Sequence, residues 1–412
     1  MKSDRTAVLK GTAGLFLTQS VASTAFLAAS TVNAIVATQL TGDGRAGGWP
    51  NAVVLIGNAI GAYSLSRLML TIGRRNGLLI GSAFGTLGAF LAATAVAFGN
   101  APGFFASLIV MGIGRGTLEQ ARFAAADLYP AQQRARAISI VVWGGTIGGV
   151  LGPQLAGPAS NLIASLGLNR LAGPYFATST LFALTAIGIL ILLSIDWQGI
   201  AARVGASQPT ATANKSISLR ALLSRRDVLL GIVTMAFAQA PMTMMMSIVS
   251  LHMTQHGHTL DAVGAVISLH VLGMYAFSPL WGTLADRMNK RLLITLGAIV
   301  LMAGCVIGPL SNDLIPLEAA LFLVGLGWSI CYVSGSALLT GSLSREEKAR
   351  AQGSNDLVVN LSSALGGIFS GIILASFSYF GVSAVSFTVM SIPLIVMVVQ
   401  RLRPPAPSAK AA

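Results

Sequence analysis

The sequence predicts an all-α, polytopic membrane protein whose twelve transmembrane helices form two pseudo-symmetric six-helix bundles. The composition, the number of apolar segments and the distribution of basic residues carry this prediction. Of the 412 residues, 54% are hydrophobic and only 9% are charged, whereas soluble domains carry about 25% charged residues. So few charges cannot cover a water-facing surface, which excludes a soluble enzyme, a coiled coil and a disordered chain.

Twelve apolar segments follow one another between breaks rich in charge, glycine or proline, and each is long enough to cross a membrane. The predicted spans of the first half are 12–38, 49–71, 76–99, 102–128, 137–163 and 173–194. Those of the second half are 228–253, 260–284, 291–311, 314–342, 351–377 and 381–400. We therefore predict an N-terminal bundle over 1–195, a cytoplasmic linker over 196–227 and a C-terminal bundle with a short cytoplasmic tail over 228–412.

Basic residues fall almost entirely on one side of these spans. Of the 26 lysines and arginines, Arg45 and Arg170 fall in loops on the opposite side, and Arg115 and Arg122 fall within a span. Because cytoplasmic loops carry the excess of basic residues, we expect a multi-pass protein of the cell membrane (inner or plasma membrane) with both termini cytoplasmic. Topology thus explains the net charge of +13, and nucleic acid is not an expected partner.

The two halves repeat each other in order and at a nearly constant offset. Gly73-Arg74-Arg75 corresponds to Asn289-Lys290-Arg291, and the run from Gly112 to Arg115 corresponds to the run from Gly325 to Trp328. A third match relates Arg134-Ala-Arg136-Ala to Lys348-Ala-Arg350-Ala. Many secondary transporters are built from two such repeated helical bundles.

Two motifs resemble those of the major facilitator superfamily. The loop after the eighth span reads Gly282-Thr-Leu-Ala-Asp286-Arg287-Met-Asn-Lys290-Arg291, which is similar to the signature loop of that family. The fifth span carries Gly148, Gly152, Pro153 and Gly157, which resemble a motif of its proton-coupled exporters. The resemblance implies alternating access to a small-molecule substrate bound between the two halves. It also implies a gating role for the loop residues Gly282, Asp286, Arg287 and Arg291 and their first-half counterparts Gly73, Arg74 and Arg75.

The first half departs from the family pattern at two places. Ser66 and Leu70 stand where the signature loop has its leading glycine and its acidic residue. Leu108 stands where the family has an arginine in the fourth helix, and this sequence instead carries Arg115 further along that span. The departures leave open whether the first-half loop contains a charge relay.

Five ionisable side chains in or near the spans are candidates for proton coupling or substrate binding. Arg115, Glu119 and Arg122 follow one another at i, i+4 and i+7, so a continuous helix would place them on one face. The alternative is a structural ion-pair ladder. His270 is either a titrating group or a packed core histidine. Asp356 is either a functional residue, as the repeat's partner to the cytoplasmic gate, or an acidic residue at a helix N-terminus that offsets the helix dipole.

Uncharged polar residues within spans are candidates to line a cavity, namely Gln19, Asn33, Asn58, Tyr63, Gln239 and Asn360. His252, His256 and His258 cluster at the outer end of the seventh span, but no cysteine or glutamate completes a metal-binding set, and we expect no metal and no cofactor. Phosphate-loop, nucleophile-elbow and zinc-helix motifs of enzymes are absent from the sequence.

These observations favour a secondary active transporter that exports a drug-like or metabolite substrate in exchange for protons. The positive charge of the Arg115 group favours the alternative, which is proton-coupled uptake or facilitated transport of an anionic metabolite. A membrane sensor that keeps the fold without transporting is a third hypothesis. The expected partners are a small-molecule substrate, protons and the lipid bilayer, and a monomer suffices.

Overall fold

The computed structural model describes residues 2–129, 133–193, 224–341, 343 and 345–402. Throughout these ranges the regular secondary structure is helical, which confirms the all-α prediction. Helices are the expected solution, because a spanning segment must satisfy its own backbone hydrogen bonds where water is absent. The first half contains α1 Lys2–Ser30, α2 Asn33–Thr41, α3 Trp49–Ile72, α4 Arg74–Ala97, α5 Ala101–Leu118, α6 Ala121–Asp127, α7 Arg134–Gln154, α8 Ala156–Ser165 and α9 Gly173–Leu192.

The second half contains fewer and longer helices. They are α10 Arg226–Gln255, α11 Leu260–Tyr275, α12 Ser278–Arg287, α13 Lys290–Ile307, α14 Leu314–Thr340 and α15 Arg345–Leu402. The predicted linker over 196–227 lies mostly outside the described residues, so the division into bundles at its two ends stays a prediction.

Eleven segments of the described residues are long and apolar enough to cross a membrane. The last of them, Ser354–Leu402, has 49 residues. At 1.5 Å per residue a straight helix of that length would reach about 73 Å, more than twice the about 30 Å of hydrocarbon. It is instead interrupted at Phe377 and Ser378, where φ is −134° and 58°. The interruption falls between the predicted spans 351–377 and 381–400, so this segment supplies two crossings.

Several first-half spans are broken within the segment predicted as one helix. The break between α1 and α2 falls at Thr31 and Val32, and that between α5 and α6 falls at Glu119 and Gln120. The break between α7 and α8 follows Pro153, which lacks an N–H group and weakens the preceding turn. Broken helices leave backbone groups available near binding sites of transporters.

The residues form two compact units by their contacts. The first unit contains the described residues of Met1–Thr212 together with Met246–Leu272 and Gly367–Ser376. Its core is built around large, fully buried side chains such as Phe104, Tyr175 and Phe182. The second unit contains the described residues of Ala213–Met245, Gly273–Gly366 and Phe377–Ala412. One of its buried clusters packs Val228, Ile232 and Met235 against Leu339.

Glycines allow α3 and α5 to approach closely within the first unit. A Cβ atom at Gly57 would overlap the carbonyl group of Ile109, and one at Gly61 would overlap that of Ile113. The two glycines are four residues apart and therefore lie on one face of α3. Small residues at this spacing let helix backbones meet where lipid gives no hydrophobic drive for association.

We expect Gly57→Ala and Gly61→Ala each to destabilise the protein by about 1–3 kcal/mol, because the added methyl group forces α3 away from α5. Thermal unfolding of the purified protein in detergent measures the loss. The matched control is Gly188→Ala on α9, where a Cβ atom meets nothing within 4 Å. Equal melting temperatures for Gly61→Ala and Gly188→Ala would contradict the close approach of the two helices.

Candidate functional site

An ion pair lies within the fourth predicted span, in the first unit. Arg115, near the end of α5, donates from Nε to Oε1 of Glu119 at 3.0 Å. The guanidinium group also lies over the ring of Phe26 on α1, 3.8 Å from the ring centroid. About a third of each charged side chain is exposed, 33% for Arg115 and 34% for Glu119. The pair is thus held in a fixed arrangement but open on one side.

Arg122 does not extend this pair as a ladder. The helix is interrupted at Glu119 and Gln120, so Arg122 belongs to the separate helix α6. Its side chain is exposed and lies over the ring of the neighbouring Phe123 at 4.9 Å. Of the three charged residues at helical spacing, the structure therefore brings two together.

Two of the first-half cavity candidates lie on half-buried helix faces. Gln19 donates from Nε2 to Oγ of Ser23, one turn along α1, at 3.2 Å. Asn58 on α3 lies against Gly116 of α5, where a Cβ atom would overlap the Asn58 side-chain oxygen. Gly116 follows Arg115 directly, so Asn58 lies beside the ion-paired segment.

The other two first-half candidates have different surroundings. Asn33 is buried, and its Oδ1 accepts a hydrogen bond from the hydroxyl of Tyr175 at 2.6 Å. This hydrogen bond links α2 to α9. Tyr63 is 61% exposed on α3, and the guanidinium group of Arg67 lies over its ring at 4.3 Å.

In the second unit, Gln239 on α10 uses both ends of its amide group. Its Oε1 accepts a hydrogen bond from the indole Nε1 of Trp328 on α14 at 2.8 Å. Its Nε2 lies 3.2 Å from Oγ1 of Thr243 and 3.4 Å from Oγ of Ser363. The two hydroxyl oxygens of Thr243 and Ser363 lie 3.0 Å apart, so one network joins α10, α14 and α15.

Three aromatic rings extend this network. Trp328 is stacked on Tyr332, with ring centroids 4.8 Å apart and an interplanar angle of 27°. The ring of Tyr275, at the end of α11, meets Trp328 edge-on at 6.0 Å. We call the six residues of the second unit, Gln239, Thr243, Tyr275, Trp328, Tyr332 and Ser363, the amide–aromatic cluster.

Sequence reasoning found Gln239 but missed the rings. A usable signal lay in the internal repeat, because Trp328 stands at the position that matches Arg115. In each half the partner of this residue follows four residues later: Glu119 pairs with Arg115, and Tyr332 stacks on Trp328. The matching position of the fourth and tenth spans therefore carries a charge pair in one half and a ring pair in the other.

The acidic residue of the eleventh span lies well inside a helix. Because α15 begins at Arg345, Asp356 is three turns from the helix start, and its interpretation as a dipole-offsetting N-terminal residue is wrong. The charged segment from Arg345 to Arg350 falls outside the predicted span 351–377, although it belongs to the helix. Asp356 is exposed and receives a hydrogen bond from Asn355 at 3.4 Å. Asn360, one turn further, is also exposed.

Charged pairs lie near the ends of the spans that are predicted to be cytoplasmic. Arg74 pairs with Asp127 at 2.8 Å, which supplies a charge pair in the half whose loop lacks the expected acidic residue. In the second unit, Arg291 pairs with Asp227 at 2.9 Å. Arg225 pairs with Glu347 at 2.6 Å.

The remaining residues of the two loops differ in their surroundings. Asp286 and Arg287 are exposed, and a Cβ atom at Gly282 would meet nothing within 4 Å. Gly73 has φ of +85°, which favours glycine at the turn between α3 and α4. Arg75, two residues later, donates to the carbonyl oxygen of Leu190 at 3.0 Å.

The fifth-span motif consists of packing positions within the first unit. A Cβ atom at Gly148 would overlap the carbonyl oxygen of Ser20 on α1, and one at Gly152 would lie 2.6 Å from the carbonyl oxygen of Thr24. A Cβ atom at Gly157 would overlap the side chain of Asp261. With Pro153, which precedes the break after α7, these glycines bring α7 and α8 close to their neighbours.

The histidines of the second half lie among the residues of the first unit. His270 is fully buried. The rings of His252 and His256 are 4.3 Å apart between centroids, and Nδ1 of His256 lies 2.8 Å from the carbonyl oxygen of His252. Among the described residues, no three or more His, Cys, Asp or Glu side chains come close enough to hold a metal ion.

Comparison with known families identifies the fold. A family model described as Major Facilitator Superfamily matches residues 15–252 and 231–412. The chain belongs to the Major Facilitator Superfamily. It is therefore a multi-pass membrane transporter of a small-molecule substrate and not an enzyme, as the motifs of the sequence predicted.

Members of the Major Facilitator Superfamily resemble this chain over most of its length. An uncharacterised transporter of this type from Bacillus subtilis, YdeG, is 33% identical over 371 residues, which cover 89% of this chain and 86% of the relative. The riboflavin transporter RfnT of Brucella anthropi is 25% identical over 409 residues, 99% of this chain and 100% of the relative. The crystal structure of the nucleoside transporter NupG has the same fold, with a TM-score of 0.74 at 15% identity, covering 96% of this chain and 100% of NupG.

A double-mutant cycle measures the coupling between Arg115 and Glu119. We expect Arg115→Ala and Glu119→Ala each to lower thermal stability, because either change leaves a charge unpaired within the span. The double variant should be more stable than the sum of the two losses predicts, by about 0.5–1 kcal/mol for a pair that is one-third exposed.

The control cycle combines Arg115→Ala with Asp127→Ala. Asp127 has its own partner in Arg74, so these two losses should add. A zero coupling energy in the first cycle would show that the Arg115–Glu119 pair contributes nothing to the fold.

Proposed function

We propose that this transporter imports a small metabolite together with a proton, and that Arg115 and Glu119 couple the two movements. The ion pair between these residues carries the proposal. It lies within a span, where an ionisable residue is functional by default. Stacking of the guanidinium group on Phe26 holds the Arg115 side chain in place. When the ion pair breaks, Glu119 is therefore the side chain that moves.

The charges of the pair predict the direction of coupling. A substrate that presents carbonyl or anionic oxygens competes with Glu119 for the guanidinium group of Arg115. Glu119 released from Arg115 has lost its cationic partner, and in this proposal it is the carboxylate that carries the proton. Substrate and proton therefore bind together, which is the behaviour of a symporter. A cationic substrate would instead compete with the proton for Glu119 and would give an antiporter.

Riboflavin is the first substrate to test. The support is the relative RfnT, a riboflavin transporter that aligns with this chain over nearly the full length of both. Riboflavin is uncharged, and the carbonyl oxygens of its ring are acceptors that suit a guanidinium donor. It therefore satisfies the requirement for an oxygen-bearing substrate.

Proton-coupled efflux of a drug-like compound is the second candidate. The observation that favours it is the fifth-span motif of Gly148, Gly152, Pro153 and Gly157, which resembles that of proton-coupled exporters. In this structure the three glycines are accounted for by close packing of α7 and α8. The packing does not depend on the direction of transport, so we rank efflux below uptake.

The excess of basic residues on one side supports an orientation with both termini in the cytoplasm. A symporter driven by the inward proton gradient of the cell membrane would move its substrate inward, whichever side its termini face. One chain carries both the ion pair and the amide–aromatic cluster, so a monomer is sufficient for the proposed cycle.

Uptake into proteoliposomes tests the proposal. We expect uptake of labelled riboflavin by the wild-type protein to accelerate when the outside is made acidic. In Glu119→Gln, which cannot exchange a proton, we expect this acceleration to fall at least about tenfold, as for loss of a positioned proton carrier. Exchange of internal for external riboflavin needs no net proton movement and should continue.

The matched control is Glu318→Gln on α14, which makes the same chemical change at a carboxylate of the second unit. It should keep the acceleration by acid. Uptake by Glu119→Gln that still follows the proton gradient would remove Glu119 from the coupling mechanism. Proton-driven loss of a preloaded drug-like cation, without riboflavin uptake, would establish efflux instead.

A further inference from the structure

We propose that the amide–aromatic cluster binds a flat, uncharged heteroaromatic ring of the substrate. The inference rests on the proposed function, because it assigns a binding surface to the molecule that the transporter moves. Six side chains of the second unit form the cluster, and none of them is charged at neutral pH. At the matching position of the first half, Arg115 and Glu119 supply an ion pair in place of the two rings.

The hydrogen bonds of Gln239 fix the orientation of the rings. The amide oxygen accepts from the indole of Trp328, and the amide nitrogen lies within hydrogen-bond distance of Thr243 and Ser363. An amide group held at both ends cannot rotate without losing a hydrogen bond, and those of Gln239 are partly buried. Gln239 is therefore a positioning residue, which holds the indole ring in the stack with Tyr332.

The rings differ in exposure in a way that suits a ligand. Trp328 is 8% exposed and fills the middle of the stack, whereas Tyr275 is 36% exposed. Tyr332 is half-buried. A flat ring can stack against the open tyrosine surfaces while the buried indole supports them. Aromatic pairs of this kind prefer offset or edge-on arrangements, as the three protein rings already show.

A polar stripe on α15 adjoins the cluster. Asp356, Asn360 and Ser363 are spaced at i, i+4 and i+7, so they lie along one face of the helix. Ser363 belongs to the cluster, and Asp356 and Asn360 are exposed. A substrate with a flat ring and a polar chain would find hydrogen-bonding groups beside the stacking surface.

The alternative is that these residues only pack α10, α14 and α15 together. The two possibilities differ in substrate selectivity. If the residues only pack the helices, their substitution changes the stability of the protein and affects the transport of every substrate equally. If they bind the substrate, their substitution changes the affinity for compounds that contain the ring and does not change the affinity for the polar chain by itself. Competition by fragments of one molecule therefore separates them.

The test measures riboflavin uptake by the full-length protein in proteoliposomes, with lumichrome (the ring system alone) and ribitol (the chain alone) as competitors. In the wild type we expect lumichrome to inhibit and ribitol not to inhibit. In Tyr275→Leu and Trp328→Leu, the riboflavin concentration for half-maximal uptake and the lumichrome concentration for half-inhibition should both rise about three- to tenfold. The maximal rate should change much less, and Trp328→Phe should restore part of the affinity.

The control variant is Trp143→Leu. Trp143 also stacks on an aromatic ring, that of Phe16, but it belongs to the first unit and is 59% exposed. It should behave as the wild type in both competition curves. If Trp328→Leu does not fold, Tyr275→Leu and Trp328→Phe still decide the question, because the first removes an open ring and the second keeps a ring at the buried position.

Failure of this inference and failure of the proposed function give different results. Riboflavin uptake with unchanged curves in Tyr275→Leu would overturn the ring site and leave the substrate in place. If riboflavin is not transported, thermal stabilisation by lumichrome is compared between the wild type and the variants. Stabilisation of the wild type that weakens in the variants would support the ring site alone. The absence of stabilisation in the wild type would overturn both.

Discussion

Inside a membrane, a polar side chain keeps its position only where another group of the protein satisfies it, because hydrocarbon offers no hydrogen bonds. Three pairs in the described spans follow this constraint. Glu119 neutralises Arg115, Asn33 accepts from Tyr175, and Gln239 accepts from Trp328. Each pair joins two helices or two turns of one helix, so the same contacts that satisfy polar groups also fix where the helices lie.

The internal repeat places different chemistry at matching positions. The fourth span carries Arg115 and Glu119 four residues apart, and the tenth carries Trp328 and Tyr332 at the same spacing. Repetition of the backbone therefore does not imply repetition of the function. One half carries an ion pair at this position and the other carries a pair of stacked neutral rings, so matching positions of the repeat offer different chemistry.

Much of the fold could be predicted from the sequence, because hydropathy and charge report directly on the membrane. The spans, the all-α class and the family follow from these signals and from two short motifs. The amide–aromatic cluster could not be predicted in this way, since Trp328 and Tyr332 look like any other apolar residues of a span. The start of α15 was also missed, because the charges from Arg345 to Arg350 resemble a loop before the predicted span 351–377, although they lie in the helix.

The joint between the last two crossings has a practical consequence for mapping which side of the membrane each segment faces. Only Phe377 and Ser378 depart from helical geometry there, and Phe377 and Phe380 beside this joint are exposed. Such a short joint is a poor site for protease cleavage or for insertion of an epitope tag. Reagents that report sidedness therefore have to be directed at the longer connections, and a negative result at this joint carries no information on topology.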